Sequence, residues 1–239
     1  MEIETLNWDS VFFGIKIGRI SVDPSFNYEE FNEQATREKF KLVYVFREVN
    51  DVSDKGVISS DLQLTDIQVT MRLLLDSESE IVPVDFNTSL NRDELNECYE
   101  IAESIAKVSR FYREPAIGKE KALSLYRTWV DNALNGSFCD GVIVNRVDGH
   151  IRGIHLIKTD AVNQTGTCSL IGTNPVYKGA GIGRNLWKQA FSYWLGKKSV
   201  THCRVPFSLD NMESFNFHLR MGFNSVESIR YIYHYRAEL

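Results

Sequence analysis

The stretch Leu170-Ile171-Gly172-Thr173-Asn174-Pro175-Val176-Tyr177-Lys178-Gly179-Ala180-Gly181-Ile182-Gly183-Arg184-Asn185-Leu186 constrains this chain more than any other. An apolar run of strand type stops at Pro175, glycines alternate at 179, 181 and 183, and apolar residues at helical spacing begin directly afterwards. The pattern predicts a strand, a tight loop and a helix start. Three missing β-carbons let successive backbone N–H groups converge on one anion at the positive end of the helix, so the predicted ligand carries phosphate. Two phosphate loops are disfavoured by spacing. A Rossmann fingerprint sets its third glycine three residues beyond the second, and here the interval is two. A P-loop closes in Gly-Lys-Ser/Thr to hold Mg²⁺, whereas this helix opens Gly-Arg-Asn. An ordinary glycine-rich turn accounts for the same residues equally well.

Lys178, Gly181 and Gly183 spell basic-x-x-Gly-x-Gly, which resembles the acyl-CoA pyrophosphate loop of the GNAT N-acetyltransferase superfamily. Downstream, Asn211-Met212-Glu213-Ser214-Phe215-Asn216-Phe217-His218, closing in Gly222-Phe223, resembles that superfamily's second signature. The resemblance implies acyl-CoA as co-substrate and direct acyl transfer to an amine. It assigns pantetheine to the backbone of Ile171, Gly172 and Thr173, and pyrophosphate to the amides of Lys178, Gly179, Ala180, Gly181, Ile182, Gly183 and Arg184. Asn211, Ser214 and Phe217 complete the cofactor set. His218 stands where relatives often carry a tyrosine that protonates the departing thiolate, and an imidazole exchanges protons near neutrality. The strand 167–173 has no Asp or Glu to serve as base. His155, on the neighbouring predicted strand, is the candidate general base, against the alternative of a hydrogen-bonded core histidine.

A net charge of −5 gives no global attraction to nucleic acid or anionic membranes. Cys98, Cys139, Cys168 and Cys203 are scattered without metal-ligand spacing, so no metal site is expected and the thiols read as free in a reducing cytoplasm. No apolar run approaches the ~20 residues needed to span a bilayer, and the acidic first residues do not read as a signal peptide. A soluble, cytosolic protein is expected, with neither nucleic acid nor membrane as partner.

The expected fold class is α/β, of mixed α+β type: a small N-terminal α/β domain over residues 1–85, then an acyltransferase domain over 86–239 whose mostly antiparallel sheet is flanked by helices. In the first part, an aromatic-rich loop leads into a strand with Ile15, Ile17 and Ile20. A helix follows over 28–40 with Phe31, Ala35 and the Lys39 stem on one side, then strands over 42–46 and 67–75. Helices are predicted from Arg92 and through Leu123, Tyr126, Trp129 and Val130, separated by an exposed turn over 109–118. Asp148-Gly149 signals a hairpin. Gly196 is the expected cap of the helix after the glycine loop, and Asp210 or Ser208 that of the signature helix. Ile229, Tyr231, Tyr233 and Tyr235 alternate along a last strand.

Trp8-Asp9-Ser10, Phe12-Phe13-Gly14, and Ser109-Arg110-Phe111 followed by Glu114-Pro115 resemble the TDP-fucosamine acetyltransferase group, with Glu114 in place of the usual Asp. This resemblance implies an acceptor that is a nucleotide-linked amino-deoxyhexose, on a dTDP carrier, destined for a surface polysaccharide such as lipopolysaccharide. The donor is acetyl-CoA or a longer thioester such as 3-hydroxybutyryl-CoA. Arg110, Phe111 and Trp8 are the implied substrate contacts. Arg110 suits a phosphate, as planar guanidinium groups do, or else pairs with Glu114; Trp8, Phe12 and Phe13 stack on ligand or pack in the core. A dimer surface in the C-terminal region is a further expectation.

Overall fold

The strand and helix periods come together in a computed structural model that describes residues 2–23, 25–49, 59, 61–76, 78, 80–197 and 199–237. In chain order the elements are β1 (Glu4–Thr5), α1 (Asn7–Phe13), β2 (Ile17–Val22), α2 (Tyr28–Arg37), β3 (Leu42–Glu48), β4 (Gln63–Leu74), β5 (Phe86–Asn87), α3 (Arg92–Ala106), α4 (Arg110–Arg113), α5 (Lys119–Leu134), β6 (Gly141–Val147), β7 (His150–Asp160), β8 (Thr165–Thr173), α6 (Ile182–Lys197), β9 (His202–Ser208), α7 (Met212–Arg220) and β10 (Ser225–Arg236). The strands form one sheet in the order β1-β2-β3-β10-β4-β9-β8-β7-β6-β5. Among the described residues only β2/β3 and β8/β9 are parallel pairs, so the sheet is mixed and mostly antiparallel, as expected.

Residue 85 falls in the connection between β4 and β5, and the sheet runs on across it, because β10 lies between β3 and β4. One face carries α1, α3, α4 and α5 over a core that includes Leu42, Tyr44, Ile101, Tyr126 and Ile154. The opposite face carries α6 and α7 around Trp187, Trp194, Cys203 and Phe223, and α2 covers Val43 and Val45 there through Phe31 and Ala35. Period-2 alternation along β3 explains the division, since Leu42 and Tyr44 face one way and Val43 and Val45 the other.

Several local expectations are corrected. The aromatic segment before β2 is the helix α1, closed by Gly14 at φ 69 with its N–H on the Ser10 carbonyl. That left-handed turn is one glycine accepts without strain. Helix α2 stops at Arg37; Lys39 turns to φ 61 and is exposed, and Phe40 enters the core. The segment 109–118 is not an exposed turn: it holds α4, and Phe111, Glu114 and Ile117 are buried. Gly196 lies inside α6, and α7 is capped by Asn211. The 148–149 hairpin stands, with positive φ at Asp148 and Gly149, as a two-residue turn between twisted strands requires.

Candidate active site

The site begins where two strands part. Strand β8 pairs with β9 only over Thr165–Thr167 against His202–Arg204, although both run on, to Thr173 and Ser208. A bulge between the Leu156/Leu170 and Ile157/Cys168 pairs bends β8 just past that point, and Pro206 removes a donor from β9 in the parted stretch. The notch leaves strand-edge groups of β8 without a neighbouring strand. It opens into a cavity of about 570 Å³ lined by Ile171, Gly172 and Thr173 of β8, the glycine loop, Ile105 and Val108 on one side, and Asn211, Ser214, Phe217 and His218 on the other.

The glycine loop follows a short 3₁₀ turn over Pro175–Tyr177. Gly179 and Gly181 take φ of 84 and 79, whereas Gly183 is needed for space: a β-carbon there would lie 3.0 Å from the Phe217 ring. Asn185 N–H on the Gly181 carbonyl is the first helical bond of α6, so the N–H groups of Ile182, Gly183 and Arg184 have no intrahelical acceptor. The amides of Lys178 and Ala180, expected to face the ligand, instead donate to the carbonyls of Pro175 and Tyr177. Those two bonds shape the loop.

Lys178 reaches across the mouth of the cavity to Glu213 at 2.9 Å, both side chains being mostly exposed. This carboxylate competes with any anion for the lysine. Glu213→Gln is therefore expected to tighten binding of an anion such as inorganic pyrophosphate by up to about fivefold, the scale of an exposed ion pair, as read by calorimetric titration; weaker binding would mean that Glu213 orders the mouth rather than opposing the anion.

His218 is 1% exposed and lines the cavity from α7. Its Nδ1 lies 2.8 Å from the Ser214 carbonyl, which only accepts, so Nδ1 carries the proton; Nε2 is buried without a partner among the described residues. Burial pushes the imidazole down to about 4. In this state His218 is neutral and offers a lone pair, not the proton of the expected acid. Asn211 Oδ1 is taken by the Ser214 N–H, leaving its amide NH₂ group for a ligand.

His155, the expected base, is 0% exposed and packs against Trp187 and Trp194 at ring distances of 4.6 and 6.3 Å. It sits under α6 and is not itself part of the cavity lining, though it pairs with Ile171 and feels the charge of His218, and burial pushes it down to about 3. It is a core histidine.

No family model matches the chain, and no curated protein does. Solved structures match in shape. A conserved protein of unknown function from Staphylococcus epidermidis superposes with a TM-score of 0.63 over 94% of this chain and 85% of that one, at 10% identity. A GCN5-related N-acetyltransferase from Sphaerobacter thermophilus gives 0.55 over 99% and 77%, at 15% identity, and one from Kribbella flavida gives 0.53 over 93% and 82%, at 12%. The fold is the GNAT fold.

On the face of this GNAT sheet covered by α1, α3 and α5, α4 carries Arg110. Its guanidinium lies 4.2 Å from the Phe111 ring centroid and 5.6 Å from that of Tyr44, and Nε is buried without a partner among the described residues. The alternative pairing of Arg110 with Glu114 does not occur. Glu114 is held instead by His234 Nδ1 at 2.5 Å and by Arg236 at 2.7 and 3.0 Å. Burial alone pushes this carboxyl up, but the bonds from His234 and Arg236 outweigh it and hold it at about 2. Phe111 is 8% exposed and packs edge-on against Tyr44 and Trp129. Trp8 is 48% exposed and stacks on Phe12 at 4.8 Å, next to Asp9, which feels the charge of Arg110. Phe13 is fully buried. Among the described residues no group of His, Cys, Asp and Glu is arranged to hold a metal, and no helix is long and apolar enough to cross a membrane.

Sequence reading missed Ile105 and Val108 as lining residues, and missed Glu114, His234 and Arg236 as a unit. The signal for the last two was present. Alternation that sends Tyr231, Tyr233 and Tyr235 to one face sends Ile232, His234 and Arg236 to the other.

Proposed function

We propose that this protein is a cytoplasmic acyl-CoA-dependent N-acyltransferase acting on a nucleotide-linked amino-deoxyhexose, a dTDP sugar of surface polysaccharide synthesis. The observation that carries the reading is the parting of β8 and β9 directly onto the unbonded N–H groups at the start of α6. Pantetheine contains two amides, and an extended amide chain fills a gap beside a strand edge as a further strand does. The pyrophosphate then meets the N–H groups of Ile182, Gly183 and Arg184 at the positive helix end. Arg184 and Arg220 line both this cavity and a neighbouring depression of about 320 Å³; Lys188 lines it too but is paired with Glu80 at 2.7 Å, so the two arginines are the cations suited to the remaining phosphate.

The acceptor nitrogen attacks the thioester carbonyl, the C–S bond breaks, and the amine proton ends on the CoA sulfur. Backbone N–H groups near Thr173 meet the charge of the tetrahedral intermediate. His218 enters as a neutral ring whose Nε2 accepts a proton from the attacking amine and returns it to the thiolate, so it relays one proton rather than supplying one. Ile105 closes down on Gly172, where a β-carbon would come within 2.4 Å of its Cδ1. That narrowness favours acetyl over a longer acyl group. Arg110 supports an anionic acceptor, since its charge meets no hydrogen-bonded partner among the described residues.

Mass spectrometry with a panel of dTDP-amino-deoxyhexoses and acetyl-CoA or 3-hydroxybutyryl-CoA, together with thiol release, tests the reading. The expected result is an acetyl mass gain on one sugar and a rate reduced about 100-fold in His218→Phe, the scale of lost proton transfer, at unchanged CoA affinity. CoA binding without mass gain on any sugar in the panel would remove the sugar assignment. A full rate in His218→Phe would remove the relay.

A further inference from the structure

Four buried polar atoms on the α4 side of the sheet bond to nothing among the described residues: Tyr44 Oη, Asp66 Oδ1, His234 Nε2 and Arg110 Nε. They share one face by register. His234 stands opposite Tyr44, Ile232 opposite both Phe46 and Asp66, and side chains two apart along β10 point the same way. Arg110 covers the group from above, over the Tyr44 ring. Its charge reaches Tyr44, Tyr126 and His234, and Asp66 also acts on Tyr126. Buried polar atoms are nearly always paired, and four together mark a place that a ligand or ordered water completes.

Hydrogen-bond roles follow from the partners. Glu114 is ionised and holds the Nδ1–H of neutral His234, so Nε2 accepts. Asp66 Oδ1 accepts, Arg110 Nε donates, and the Tyr44 hydroxyl does either. Such a set matches a hydroxylated or heterocyclic group joined to an anion, and the faces of Tyr44 and Phe111 add a stacking surface. Position separates this group from the reacting carbon. Asp66 on β4 lies one strand from β9, His234 on β10 two and Tyr44 on β3 three, so the Tyr44 and His234 end of the group stands about 10–15 Å from the notch at the usual strand spacing, too far for an amine held there to reach a thioester. One acceptor touching both is long, with its amine at one end and this chemistry at the other.

We propose that Tyr44, Asp66 and His234, beneath Arg110, hold the nucleoside diphosphate end of the acceptor, with Glu114 fixing the His234 tautomer as a positioning residue. The proposal rests on the acceptor class given above and names the residues that read it. Arg110 takes the diphosphate, and the three atoms below it take the hydrogen-bonding edge of the nucleoside. Arg110 is half-buried over the cluster, so it stands between the three atoms and solvent.

The test is calorimetric titration of the intact protein with dTDP, and with inorganic pyrophosphate as a probe lacking the nucleoside. Tyr44→Phe removes an oxygen that has no partner in the free protein, so its melting temperature is expected to be equal or higher. Its dTDP affinity is expected to fall about 3- to 10-fold, the scale of one hydrogen bond, with pyrophosphate binding unchanged. Asp66→Asn is a second variant with the same expected pattern. Unchanged dTDP affinity in both variants, an equal loss for both probes, or no dTDP binding by the unsubstituted protein overturns the assignment. A protein that binds dTDP through Tyr44 yet acylates no amino sugar retains this site and loses the catalytic reading; one that acylates an amine without binding dTDP does the reverse.

Discussion

Glu114→Ala is expected to destabilise the protein by about 2–3 kcal/mol, the scale of losing charge-assisted hydrogen bonds to a buried carboxylate when the cation left behind, Arg236, is partly open to water. The Glu114 side chain is fully buried, and it accepts from His234, twice from Arg236, and from the Ala116 N–H at 3.1 Å. Its removal leaves Arg236 without its carboxylate, frees the His234 tautomer and opens a cavity under α4. Denaturant unfolding at neutral pH measures the loss, and a change below about 1 kcal/mol would mean that water replaces the carboxylate at little cost. The acid dependence has a definite sign. The folded protein holds this carboxyl at about 2, below its ordinary 4.5, so its contribution is complete above that ordinary value and is lost as pH falls towards about 2. The stability gap between Glu114→Ala and the unsubstituted protein is therefore expected to narrow through that window, and to stay constant above it.

The second large effect is on the proposed cofactor. Gly181→Val places a β-branched residue at φ 79, a conformation that costs a non-glycine residue about 1–3 kcal/mol. The backbone relieves this by rotating, and the rotation swings the first N–H groups of α6 off the point where they converge. CoA affinity is expected to fall about 10- to 100-fold, measured by calorimetry, with dTDP affinity at the proposed site beneath Arg110 unaffected. Normal CoA binding in this variant would sink the claim that backbone amides, rather than Lys178 and Arg184, hold the pyrophosphate.

The glycine loop and the signature helix were legible because each combines a rare residue spacing with a change of hydrophobic period, from strand to helix. The hairpin at Asp148-Gly149 was legible for a similar local reason. Three kinds of feature were not. Segment 109–118 looks like an exposed turn because its polar residues are read singly, yet Glu114 is buried by partners 120 and 122 residues away. The protonation of His218 depends on a carbonyl one turn back on its own helix and on burial by Phe207, Trp187 and Phe223, and no spacing rule conveys that. His155 occupies a register position opposite Ile171 and shares its α6 face, but the rings of Trp187 and Trp194 pack over it and enclose it there. Topology decided each of these.

The placement of β10 bears on how the protein assembles in time. Its two neighbours, β3 and β4, are made early, and Thr65 Oγ1 donates to the Ile232 carbonyl across 167 residues of chain. Until β10 is made, those two strands have a gap between them, and each presents a bare edge of the sort that recruits foreign strands. Contacts this distant in sequence close slowly, since the intervening chain gives up its freedom before they form. The vulnerable species on the folding route is thus one whose glycine loop is already in place while β3 and β4 still wait for their shared neighbour, and protection by a chaperone matters most in that interval.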